Sequence, residues 1–137
     1  MLKKWSAVIV ILLGAIIAWW YYPSDFGANR PPKLPLTVPI AEGEIVKSHE
    51  EIFETGKGYI IETRSPDNYE DVIAYYQDQF TRLGYNIIAV TPSRSAEEEM
   101  VTFVAQQHDH TVIVEIVWNG KLVYVTTAVH LHKWVLT

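Results

Sequence analysis

The stretch TVIVEIVWNGKLVYVTTAVHL, Thr111 to Leu131, alternates apolar and other residues on both sides of an Asn-Gly pair. Alternation with a period of two belongs to a strand with one buried face, and Asn-Gly suits a two-residue type I′ turn, where both positions take positive φ. In that register Trp118 faces Lys121, Ile116 faces Val123 and Val114 faces Val125, so valines and isoleucine share a face. The run before it repeats the pattern. With His108-Asp109 as a turn, Val101, Phe103 and Ala105 meet Ile116, Val114 and Val112, and both hairpins bury the same face of the middle strand. On the last strand that face carries Val123, Val125, Val129 and Leu131, leaving Tyr124, Thr126, His130 and His132 opposite.

The same register disposes of the four histidines that bracket the stretch, His108, His110, His130 and His132. It points His110 toward the core side of the sheet rim and His130 and His132 away from it, with Asp109 opposite His130. Two imidazoles and a carboxylate are a ligand set for zinc, copper or nickel. His130, His132 and Asp109 are therefore the candidate metal site, beside the plainer reading of His130 and His132 as surface residues. A bulged three-residue turn would gather all four histidines on one face, but it would bury Leu122, Tyr124 and Thr126 in place of the valines.

A helix is predicted upstream. Ser65 suits its cap, Pro66 its first position, Asp67, Glu70 and Asp71 its positive end, and Gly84 its stop after Arg82. Tyr69, Val72, Ile73, Tyr76, Phe80 and Leu83 fall in steps of three and four, one apolar stripe to lie on a sheet. Before it, EIVKSHEEIFET and YIIETRS flank Gly56-Lys57-Gly58 and read as a first hairpin. YNIIAV follows the helix and ends at Thr91 and Pro92, and SRSAEEE reads as a solvated loop, since three adjacent glutamates lack the spacers of a calcium loop. The order strand, strand, helix and four strands makes an α+β fold: an antiparallel sheet with one amphipathic helix packed on one face.

The first third of the chain is different. Trp5 to Tyr22 carries no charge, and as a helix its 18 residues would reach about 27 Å, near the apolar thickness of a bilayer. Lys3 and Lys4 precede it, and Trp19 to Tyr22 follow at the depth that aromatic rings favour. Residues 1–22 are expected to be a single transmembrane signal anchor, embedded in the lipid bilayer through residues 5–22. The predicted localisation is the cell membrane, single-pass, with the N-terminus cytoplasmic and the rest extracytoplasmic. A cleaved secretory signal is the alternative, against which stand the bulky aromatics and Pro23 where small residues are needed. Residues 23–41, with Pro23, Pro31, Pro32, Pro35 and Pro39, read as a Pro-rich stalk. The alternative is an edge segment in which Leu34, Leu36, Val38 and Ile40 alternate along the domain. Residues 42–137 are the extracytoplasmic domain.

Function is bounded mainly by what is missing. The 137 residues include no cysteine, which excludes disulfides and thiolate chemistry, and from Glu42 onward 15 acids stand against 7 bases. That excess repels phosphate backbones, so no nucleic-acid partner is expected. No Gly-x-Ser-x-Gly, Walker or dinucleotide motif is present, and Ser48, His49 and Glu50 are consecutive, so a strand would turn their side chains apart. The chain is read as a non-enzyme with no cofactor. The stretch SPDNYEDVIAYYQDQFTRLGYNI resembles a segment of small bacterial membrane-anchored or secreted α+β domains of unknown function, with a Ser-Pro start, a Tyr-Tyr pair and a Leu-Gly-aromatic end. That resemblance implies the fold and the anchoring. The expected role is a membrane or envelope protein interaction or assembly domain. The alternative is a module binding a transition metal or small molecule on the outer sheet face with Tyr124, His130 and His132.

Overall fold

The computed structural model describes residues 24–53 and 56–132. The anchor reading of residues 1–22 lies outside them, and among the described residues no helix is long and apolar enough to cross a membrane. The elements are β1 (Glu44–Phe53), β2 (Gly56–Ser65), α1 (Tyr69–Arg82), β3 (Asn86–Arg94), β4 (Glu99–Gln106), β5 (His110–Trp118) and β6 (Val123–Leu131). The six strands form one antiparallel sheet in the order β1-β2-β6-β5-β4-β3. The α+β architecture with a single packed helix is the one expected.

The β4–β5 register is the predicted one, with Val101, Phe103 and Ala105 opposite Ile116, Val114 and Val112. The β5–β6 register is not. Trp118 pairs with Val123, Ile116 with Val125 and Val114 with Thr127, around a four-residue loop. Asn119 closes that loop with its side chain, accepting from the amides of Lys121 (3.0 Å) and Leu122 (2.9 Å). The longer loop shifts the pairing by two residues, which preserves the face of every side chain. Val123, Val125 and Val129 are therefore buried, as is His110, while Tyr124 and His130 stand on the outer face. With His110 buried and His130 turned outward, the four-histidine register does not occur.

Two other boundaries move. Asn68, not Ser65, caps α1, its side chain accepting from the Asp71 amide at 2.9 Å. Ser65 remains the last residue of β2, opposite Val123, and its hydroxyl accepts from the Asp67 amide at 3.2 Å. The first hairpin turns between Phe53 and Gly56, which places Gly58 within β2, opposite His130. A Cβ on Gly58 would collide with the Val129 carbonyl oxygen and the Phe53 ring. Close approach, not a turn, is what requires glycine there. β3 runs on through Pro92 to Arg94, which an edge strand tolerates because its outward amide needs no partner.

The helix accounts for part of the inner layer. Val72, Tyr76 and Phe80 of α1 are buried against the sheet. Residues 24–41, read as a stalk, supply more of it, which corrects that reading. Leu34 and Val38 are 3% and 2% exposed, whereas Leu36 is 94% exposed. The cause is local: Leu34 donates to the Pro31 carbonyl (3.1 Å) and Val38 to that of Pro35 (3.0 Å). Two successive turns bring residues four apart to one side, so the two-residue alternation of an edge strand does not apply. Burying each of these side chains stabilises the fold by roughly 1.5–3 kcal/mol. Three tyrosines grip the segment's backbone: Tyr75 donates to Ile40 O (3.0 Å), Tyr85 to Thr37 O (3.1 Å), and the Tyr76 hydroxyl accepts from Ala41 N (3.0 Å). Farther back, Phe26 N donates to Ser48 O and Glu50 N to Ser24 O, both at 2.8 Å, which joins the segment to the edge of β1.

Candidate functional site

The inner row of β5 runs His110, Val112, Val114, Ile116 and Trp118. Its first residue is sealed and its last is not. α1 begins beside the Trp118 end, and the helix start and the β5–β6 loop leave a cleft of about 570 Å³ between them. Trp118 stacks on Tyr69, the first residue of α1, with ring centroids 6.1 Å apart and planes at 25°. Leu122 adds another apolar side chain, and Asp67, Asn68, Glu70, Glu99 and Lys121 line the cleft with it. Trp118 is 37% and Leu122 41% exposed, so both present apolar surface to an incoming molecule. Partial burial, followed by the nearby Glu99 carboxylate, pushes the Tyr69 hydroxyl's pKa up and keeps it neutral. Ser65, the hydroxyl in the wall, accepts from Asp67 N and donates to Glu42 O at 3.4 Å, and no imidazole lines the cleft.

At the opposite end of β5 the structure separates the predicted metal ligands. His130 and His132 do share the outer side, with ring centroids 6.3 Å apart. Thr111, not Asp109, lies opposite His130. The Asp109 carboxylate is 2.6 Å from His110 Nδ1, and His110 Nε2 is 2.6 Å from the Tyr85 hydroxyl. This contact to His110 holds the Asp109 carboxyl below its ordinary range. It is the Asp109 backbone carbonyl that reaches His132, accepting from its amide at 2.9 Å. The His132 ring is 2.8 Å from the Thr111 hydroxyl and the His130 ring centroid is 4.8 Å from that of Phe53. Among the described residues no group of three histidine, aspartate or glutamate side chains is placed to hold a metal ion. His49 bonds Glu51, two residues on along the same strand face, at 3.0 Å.

The cleft was not foreseen from sequence. Tyr69 reads as one more residue of the core stripe, and the available signal was a tryptophan immediately before an Asn-Gly loop, following Val112, Val114 and Ile116 on the inner row.

A family model described as START domain-like matches residues 46–121, more than half of the chain. The chain belongs to the START domain-like family. The matched span runs from within β1 through α1 to the β5–β6 loop, and so includes both Tyr69 and Trp118. START-like domains are often ligand-binding modules. The family accounts for the α+β fold that the Ser-Pro helix segment implied, and it carries no statement of membrane anchoring or bacterial origin. Comparison with curated proteins and with solved structures returns no match.

Proposed function

We propose that the chain is a non-catalytic ligand-binding module that takes a small, largely apolar molecule in the cleft between the start of α1 and the β5–β6 loop. The observation that carries this reading is the Tyr69–Trp118 stack, which leaves aromatic surface exposed in a concave site beside Leu122. Aromatic and apolar surface combined with polar groups that fix orientation is the usual form of a small-molecule site. Membership of a START-like family supports ligand binding over an assembly role. The cleft suits the task by its concavity and its stacked aromatic pair, whereas the outer sheet face offers the exposed side chains of Tyr124 and Ile113.

The uncharged run from Trp5 to Tyr22 supports tethering of this module to a lipid bilayer, with Lys3 and Lys4 on the cytoplasmic side and the domain outside. A second reading, docking of a membrane or envelope protein, is favoured by exposed Ile113 and Tyr124 on the outer face.

The binding reading is tested with the full chain in detergent, labelled with 5-fluorotryptophan and titrated with 6-phenylhexan-1-ol. The fluorine resonance of Trp118, assigned through Trp118→Phe, should shift in a saturable manner, and Leu122→Asp should remove the shift. A Trp118 resonance that stays in place up to probe saturation of the micelle refutes the cleft as a site. Reporter fusions at either terminus test the orientation, and an extracytoplasmic N-terminus would refute it.

A further inference from the structure

Among the described residues, three hydroxyl side chains lie fully buried on the inner face with no protein group in hydrogen-bonding geometry: Ser48, Thr63 and Thr127. They surround one residue. Ile61 on β2 has Ser48 opposite on β1 and Thr127 opposite on β6, and Thr63 follows two residues along the same face. Thr127 faces the Tyr76 hydroxyl, the one polar group that reaches it, while Ser48 and Thr63 have none. Buried hydroxyls are normally paired, because an unpaired one forfeits its bonds to water and gains nothing. Packing alone does not call for them, since valine fills the volume of threonine.

The row also leads somewhere. Ser65, two residues beyond Thr63 on the same face of β2, is part of the cleft wall. Two residues of strand cover about 7 Å. One face of β2 thus carries hydroxyls from the open end of the cleft into the core.

We propose that Ser48, Thr63 and Thr127 form the polar end of the ligand site, taking a neutral hydrogen-bonding group, an alcohol or an amide. The apolar body of the same molecule lies in the cleft against Tyr69 and Trp118. This rests on the reading of the cleft as a ligand site. Hydroxyls both donate and accept, which matches such groups. Charge excludes the common alternatives: among the described residues no lysine or arginine is buried, so a carboxylate or phosphate here would have no counter-charge. His110, the buried imidazole, sits at the far end of β5 and is engaged by Asp109 and Tyr85. Over the patch the cover is held by the Tyr76 hydroxyl on Ala41 N and the Tyr75 hydroxyl on Ile40 O, and it eases outward to admit the ligand.

The test uses the full chain in detergent with ¹³C-labelled threonine methyls and three probes, 6-phenylhexan-1-ol, 6-phenylhexanoate and hexylbenzene. Each is titrated into the native chain, Thr63→Val/Thr127→Val and Trp118→Ala, so that partition into micelles cancels between variants. The alcohol is expected to bind about tenfold more tightly than either other probe and to shift the Thr63 and Thr127 methyl resonances. The double variant should lose that preference while melting no lower than the native chain. If it fails to fold, Thr63→Val and Ser48→Ala singly carry the same comparison. Equal binding of alcohol and hexylbenzene, or a preference that survives in the valine variant, overturns the patch. The cleft reading then still stands if Trp118→Ala weakens all three probes. Failure of every probe to distinguish the native chain from Trp118→Ala overturns both.

Discussion

Replacing Leu34 by alanine tests whether the Pro-rich segment belongs to the domain. Leu34 is 3% exposed and shares its core with Ile61, Tyr76 and Val129. Leucine-to-alanine changes in such positions cost about 2–5 kcal/mol, the lost transfer energy plus that of the cavity left behind. Two residues away, Leu36 is 94% exposed. The same change there should stay within about 0.5 kcal/mol. For a domain of about a hundred residues the first figure corresponds to a fall in Tm on the order of 10–20 °C. Scanning calorimetry of the full chain in detergent, native against Leu34→Ala and Leu36→Ala, makes the comparison directly. A free stalk predicts two small and equal effects. Equal melting temperatures for the two variants would refute the packing of residues 24–41 and, with it, the tyrosine grip on their backbone.

Alkaline pH should loosen the same region. Burial pushes the Tyr76 pKa up to about 12 from 10.0, so between those values the unfolded chain releases a proton that the folded chain retains. The Tyr76 contribution to stability is then constant below pH 10 and falls above it by about 1.4 kcal/mol per pH unit, on the order of 2–3 kcal/mol in all. Urea midpoints measured from pH 8 to 12 should fall at least this steeply, and Tyr76→Phe should remove this share while leaving that of Tyr59, Tyr69, Tyr75 and Tyr85, whose pKa burial also raises; an unchanged slope in the variant would assign the effect elsewhere. Gly58→Ala should cost about 1–3 kcal/mol, because its Cβ would collide with the Val129 carbonyl. Wild-type stability for that variant would mean that β2 and β6 do not approach as closely as described.

Much of the sheet was legible because alternation is local and its consequences are not. Val112, Val114 and Ile116 declare a buried face, and any register that keeps parity keeps them buried. The β5–β6 loop shows the limit of this: Asn-Gly permits a two-residue turn, but the Asn119 carboxamide collects two amides and spans four residues, a choice made by one side chain. Prolines misled in a related way. They favour extended chain in isolation, yet Pro31 and Pro35 open consecutive turns, and the spacing of four between Leu34 and Val38 is visible only once those turns are considered. The pairing of β2 with β6 has no local signature, and with it went the hydroxyl patch, which needs β1, β2 and β6 side by side. The metal reading failed to account for Asp109 because its nearest imidazole is the adjacent His110, which the register had already turned inward. The cleft depends on Tyr69 and Trp118, 49 positions apart, meeting at the end of a sheet.

The route by which the chain enters the domain has a mechanical consequence. A pull on Ser24 does not tug at a loose end. It acts first on two backbone bonds to β1, from Phe26 to Ser48 and from Glu50 to Ser24, and then on Leu34 and Val38 set in the interior. Force applied from that side is delivered to the middle of the molecule, within reach of Tyr76, and not dissipated in a slack leash.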